Sequence, residues 1–205
     1  MTNNVIDISH WEEPIDFNKV SDAGVIGVIA KATQGAASVD PAYAKFKKNA
    51  ASQGFLWGSY HFGTGGEAEL QVKNYLDTAQ PDNSELICLD FEPNPHGPSM
   101  TVTLAREFVG LIEAATGRLP VIYGGHWLKE NLDAGGDSVL SRCPLWLAQY
   151  GPAAVLPPGW ANYTLWQFTD GSVGREPHLV PGVGKCDRSQ FDGSESQLKK
   201  QWPFT

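Results

Sequence analysis

Two carboxylates two positions apart, Asp90 and Glu92, close the run Leu86-Ile87-Cys88-Leu89-Asp90-Phe91-Glu92-Pro93-Asn94. Read as a strand, its apolar part is buried on both faces, as in a parallel sheet covered by helices. Successive strand side chains point to opposite faces, so Asp90 and Glu92 share one face and Phe91 takes the other. Their Cα atoms then lie about 6.5–7 Å apart, two strand steps. An acid pair of this kind suits general acid/base work, one carboxyl giving up a proton while its neighbour carries charge. D-x-E triplets in general are solvated surface features. This one ends the most apolar part of the chain, at the strand terminus where barrel and open-sheet enzymes hold their chemistry.

The elements that must position this pair alternate along the first two thirds of the chain. Strands are expected over 5–9, 25–30, 55–61 and 119–123, with the acid-bearing strand fourth. Helices are expected over 15–23, 41–53, 67–79, 101–116 and 127–132. Pro41 opens the second helix and Gly54 stops it, with Tyr43, Phe46 and Ala50 on its apolar side. Leu70, Val72, Tyr75 and Leu76 stripe the third, and Leu104, Ala105, Phe108, Leu111 and Ile112 the fourth, with Gly117 beyond its end. After 132 helical periodicity fades. Strands over 145–150, 163–168 and 185–191 follow, separated by Gly/Pro-rich loops. Five strand–helix units and then three strands predict an α/β closed barrel of parallel type with a helix-poor final third, a single domain over residues 1–205.

Such a barrel gathers Asp7, Lys31, Tyr60, His61, Asp90, Glu92, Tyr123, Trp146, Gln149, Tyr150, Trp166, Gln167 and Asp187 at the C-terminal ends of its strands. Singly, each has an ordinary structural explanation. Tyr60, Trp146 and Trp166 suit a core, His61 a hydrogen-bonded structural histidine, and Lys31 a counter-charge to a nearby acid. Together, acids recurring at the ends of strands one, four and eight among aromatic rings suit a polyhydroxylated, largely uncharged chain. No glycine-rich cradle or arginine cluster serves a phosphate.

Composition narrows the classes further. Fifteen Lys and Arg against 23 Asp and Glu give a net charge of −8, without a dense basic run, which disfavours nucleic acid. Cys88, Cys143 and Cys186 each adjoin or sit within an apolar segment with no C-x-x-C spacing, so buried, unpaired thiols are expected rather than a disulfide framework or zinc site. No apolar run reaches the ~18–20 residues of a membrane span. The N-terminal residues have neither a basic region nor an apolar core of a secretory signal, and synthesis in the cytoplasm is expected.

The chain resembles the family 25 glycoside hydrolases, the Chalaropsis-type lysozymes of bacteria, fungi and phage endolysins. The resemblance rests on Asp7-Ile8-Ser9, Ala30-Lys31-Ala32-Thr33-Gln34-Gly35, Gly58-Ser59-Tyr60-His61-Phe62, Leu89-Asp90-Phe91-Glu92, Ile122-Tyr123, Leu145-Trp146-Leu147-Ala148-Gln149-Tyr150, Trp166-Gln167-Phe168 and Pro181-Gly182-Val183 ahead of Asp187. These segments span nearly the whole chain in order, and only their combination is specific. One departure is Gln34, where the family carries an acid in K-A-T-E-G. The resemblance implies a TIM-like (β/α)5β3 barrel and cleavage of the β-1,4 bond between N-acetylmuramic acid and N-acetylglucosamine. It assigns the four family acids to Asp7, Asp90, Glu92 and Asp187. It also implies retention of configuration with help from the substrate's 2-acetamido group, which Asp90 would orient. Strand spacing alone leaves a directly attacking Asp90 open, because carboxyl separation depends on rotamers. Crowding of acids raises the pKa of the least solvated one, and Glu92, with the longer reach, is expected as general acid. Lys31, Tyr60, His61, Tyr123, Trp146, Gln149, Tyr150 and Trp166 are expected to bind substrate. No metal or cofactor is expected. The partner is peptidoglycan glycan strands, met by a monomer after release or export to the cell wall.

Three other readings use the same residues. A metal-dependent hydrolase such as a phosphodiesterase would use Asp7, His61, Asp90, Glu92 and Asp187 as ligands, though no H-x-H or H-E-x-x-H spacing exists. A barrel that grips glycan without cutting it is disfavoured by the intact acid pair. A chitinase would need an Asp where Cys88 stands.

Overall fold

The computed structural model describes residues 2–204; Met1 and Thr205, the ends of the expected domain, lie outside the described residues. In chain order the elements are β1 (Thr2–Ile8), α1 (Phe17–Asp22), β2 (Gly27–Gln34), β3 (Ser38–Val39), α2 (Tyr43–Ala51), β4 (Leu56–Phe62), α3 (Ala68–Ala79), β5 (Leu86–Asp90), α4 (Val102–Thr116) and β6 (Val121–Gly124). There follow α5 (His126–Asn131), β7 (Leu145–Ala148), β8 (Leu165–Thr169), β9 (Leu179–Val180), β10 (Gly184–Lys185), β11 (Asp187–Phe191) and α6 (Glu195–Gln201). Parallel pairing runs β1–β2–β4–β5–β6–β7–β8, and β11 closes the ring, antiparallel to both β8 and β1. Five β–α units and three further strands make the expected (β/α)5β3 barrel.

Alternation along the strands sorts the core into two layers. Val5, Ile29, Leu86, Cys88, Val121, Trp146, Leu165 and Phe191 fill the barrel interior. The alternate residues Ile6, Val28, Ile87, Ile122, Leu145, Leu147, Trp166 and Phe168 point outward into the outer layer, where Arg175 covers the last two. The fit is close where no side chain stands: a Cβ on Gly58 would lie 2.9 Å from Leu86 Cβ. All three cysteines are buried and free.

The fourth helix begins with Thr101, whose hydroxyl accepts from Leu104 N–H, and ends at Gly117 with φ +71°. The third departs from its expected stripe. Leu70 is 47% exposed while Gln71 is fully buried. The Gln71 amide is used internally: Oε1 accepts from Thr64 N–H, and Nε2 donates to Thr64 O.

The helix α6 and the short hairpins β2–β3 and β9–β10 are additions to the sequence reading. The α6 segment, ESQLKKQ, carries one apolar residue, too few to show a helical period. Its legible signal is the capping box of Ser194 and Gln197. The helix carries Leu198, Trp202 and Phe204 against the barrel floor, where Trp202 Nε1 donates to Trp57 O at 3.0 Å. Trp202→Ala would leave a cavity and remove that hydrogen bond, and should destabilise the protein by about 3–5 kcal/mol. A urea midpoint that falls with little change in m-value checks this.

Candidate active site

Strand register sets a ring of polar side chains at the upper end of the barrel. Asp7 is paired with Asp187, Lys31 with Tyr60, Asp90 with Tyr123, and Tyr123 with Trp146. On β8 the inward side chain at this level is Gln167, paired with Ala148. Asp187 reaches the ring differently from the expectation. It stands at the start of β11, not at a strand's C-terminal end, because this strand runs antiparallel and presents its beginning to the mouth. Glu92 lies just past β5, yet Phe91 N–H still donates to Tyr123 O, so the alternation continues. Phe91 is fully buried in the outer layer, and Asp90 and Glu92 line one pocket. That pocket, of about 90 Å³, is lined by all four acids with Tyr60, Tyr123 and Trp146.

Two acid pairs therefore share one pocket with aromatic walls. Burial raises the pKa of Asp7 well above its ordinary value, with the Asp187 charge adding to the effect. Burial likewise pushes Asp187 up to about 7. The two carboxyls act directly on one another, and a proton shared between them relieves their repulsion. Gln167 holds this pair: its Nε2 donates to both Asp7 oxygens at 3.0 Å. Its Oε1 accepts from Tyr123 OH at 2.9 Å and Tyr150 OH at 2.7 Å. Both phenols are kept neutral, their pKa values raised by burial.

In the other pair burial raises both groups, and the Glu92 charge raises Asp90 further while Lys31 opposes it. The less solvated member is Asp90, at 6% exposure, rather than the longer Glu92. Burial of the acid alone therefore does not select Glu92 as proton donor. Asp90 Oδ1 has no hydrogen-bond partner among the described residues. Lys31 donates to Gln34 Oε1 at 2.7 Å, so a neutral amide fixes this ammonium without neutralising it. Trp146 is anchored by donation from Nε1 to Ser189 Oγ at 2.8 Å.

Not every expected residue reaches the mouth. His61 follows the inward Tyr60 and so points outward, stacked 5.1 Å from Phe108 and fully buried. Its Nδ1 bonds Thr33 Oγ1 and its Nε2 bonds Gln71 Oε1, and burial lowers its pKa to about 4. It cannot touch a substrate in the pocket, and the metal reading loses its histidine. Trp166 likewise points outward, under the Arg175 guanidinium at 4.5 Å, with Nε1 donating to Gln149 O. The inward neighbour Gln167 is the residue the binding set lacked. Strand alternation from Leu165 carried that signal. Gln149 and Tyr150 line a second groove of about 470 Å³, shared with Glu92.

Among the described residues no three His, Cys, Asp or Glu are arranged to hold a metal ion, and no helix is long and apolar enough to cross a membrane.

Comparison with known proteins agrees with this geometry. Residues 6–176 match the model of the glycosyl hydrolases family 25. Lysozyme M1 of Streptomyces globisporus is 30% identical over 209 residues, spanning 94% of this chain and 69% of its own. The N,O-diacetylmuramidase of a Chalaropsis species is 27% identical over 182 residues, covering 80% of this chain and 86% of its own. The crystal structure of a bacterial lysozyme from Streptomyces coelicolor superposes with a TM-score of 0.84 at 29% identity, covering 97% of this chain and 96% of the other.

The raised carboxyls make stability pH-dependent. Asp187 titrates near 7 when folded and near 3.8 when unfolded, so between these values the folded state binds more protons. Its contribution is fully present below about pH 4 and is lost as pH rises through 7. Asp187→Asn removes that charge while keeping the shape. The variant should gain melting temperature over the parent at pH 8 and lose that advantage at pH 5; an equal difference at both values counts against the shared proton.

Proposed function

The chain belongs to glycosyl hydrolase family 25, and from that premise we propose that it is a muramidase cutting the β-1,4 bond between N-acetylmuramic acid and N-acetylglucosamine in peptidoglycan. The observation that carries this reading is the Asp90–Glu92 pair sharing with Asp7 and Asp187 one pocket with aromatic walls. The cell wall is the place of action, as the relatives' names of lysozyme and muramidase suggest.

The roles follow from position and local charge. Glu92 lines both the central pocket and the adjoining groove, so a glycan crossing from one to the other brings its bridging oxygen past this carboxyl. Glu92 is the general acid. Burial and the Glu92 charge raise Asp90 more than burial raises Glu92, and Lys31 offsets only part of this, so the proton is assigned to Glu92 by its position beside the bridging oxygen. Lys31 then compensates the charge left on Asp90. Asp90 then stabilises the positive charge of the transition state or of an acetamido-derived intermediate. After the leaving group departs, Glu92 takes a proton from the attacking water. Asp7, Asp187, Tyr123 and Tyr150, tied together by Gln167, orient the sugar, and Tyr60 and Trp146 supply apolar walls.

Borohydride reduction of digested peptidoglycan followed by mass spectrometry should find reduced muramic acid ends. Reduced glucosamine ends or new free amines would assign another bond. Glu92→Gln and Asp90→Asn should each lower turnover at least ~10²-fold. On a substrate with an activated aryl leaving group, which needs little protonation, Glu92→Gln should recover much of its cleavage rate and Asp90→Asn should stay slow. The inverse pattern would exchange the two roles.

A further inference from the structure

The acids of the mouth come from β1, β5 and β11, and they would repel a carboxylate on an incoming chain. Across the ring from β1, the groove that shares Glu92 also carries a cation. It is walled by Ala148, Gln149, Tyr150 and Val155, and α5 sends Lys129 into it. Lys129 is half-buried, and its Nζ donates to the neutral Gln149 Oε1 at 2.6 Å. That amide is itself held, accepting from Val155 N–H at 3.2 Å and donating from Nε2 to Ala153 O at 3.1 Å. The ammonium is therefore aimed by a rigid neutral partner. The nearby His126 pairs with Glu130 at 2.9 Å, whereas Lys129 forms no ion pair among the described residues. Burial also depresses the Lys129 pKa, with no neighbouring charge to offset it.

We propose that Lys129 makes this groove a subsite for a carboxylate, the lactyl acid of muramic acid units that carry no stem peptide, a group that glucosamine lacks. The inference rests on the muramidase reading of the adjoining pocket and deepens it. A chitin-type chain shares the β-1,4-linked, N-acetylated backbone but lacks this carboxylate. Its sugars can fill the same groove without giving the ammonium a charged partner. Lys129 thus supplies discrimination between two glycans that the acid pair alone cannot tell apart.

The test uses the full chain and two forms of soluble peptidoglycan glycan: strands stripped of peptide, with free lactyl carboxylates, and the same strands with these groups converted to methylamides. Lys129→Gln should raise KM on the free-acid strands about 5- to 20-fold, the scale of a partly solvated charge-assisted hydrogen bond, with kcat changed far less. Lys129→Arg should retain most of the parent KM. On the methylamide strands the parent should already show the raised KM, and Lys129→Gln should add nothing. Equal KM for parent and Lys129→Gln on free-acid strands would overturn the proposal. So would a Lys129→Gln penalty of the same size on both strands, which would make the residue a support for Gln149. If the parent cuts neither strand, the muramidase reading fails. Calorimetric titration of the two strands then decides the subsite by itself: preference for the acid form that Lys129→Gln abolishes supports it, and equal affinity sinks it.

Discussion

Closure of the barrel is the constraint on which the site depends. Once β11 pairs with β1 and β1 with β2, the inward side chains at the upper level share one closed interior. Asp7 is forced against Asp187, and Asp90 is carried out of water beside Glu92. Charged carboxylates at such separations repel, and removal from water penalises their ions further. The folded chain answers by retaining protons, by accepting the donated hydrogens of Gln167, and by setting Lys31 opposite Asp90. The feature that costs stability near neutrality is the same one that stores a transferable proton.

The reversed direction of β11 matters for this arrangement. A parallel eighth strand would deliver its last residue to the mouth; the antiparallel one delivers its first, Asp187, directly after the loop carrying β9 and β10. The lower end is then free for α6, which follows β11 and seals the floor with Leu198 and Trp202. Chemistry at one end and closure at the other come from one reversal. Gln167 links the two halves of the mouth, since its amide joins the β1–β11 acids to Tyr123 of β6 and to Tyr150 beyond β7.

The sequence by itself determined the number of strand–helix units, the acid pair and its shared face, and the outline of a barrel. These depend on local periodicity: apolar runs make buried strands, a two-residue step makes one face, and Pro41, Gly54 and Gly117 mark helix limits. Motif order added the four acids, including Asp187, which no periodicity singles out. The tertiary structure decided which face of each strand looks inward. Thus His61 and Trp166 went to the outer layer while Tyr60 and Gln167 lined or tied the site. It also decided the direction of β11 and the short, polar α6, whose single buried leucine leaves no period to read. Above all it decided solvation. That Asp90 is drier than Glu92, and that Lys129 stands unpaired by any acid in the groove beside them, are matters of distance between segments far apart in sequence. Closing the barrel creates those distances, and spacing along the chain does not contain them.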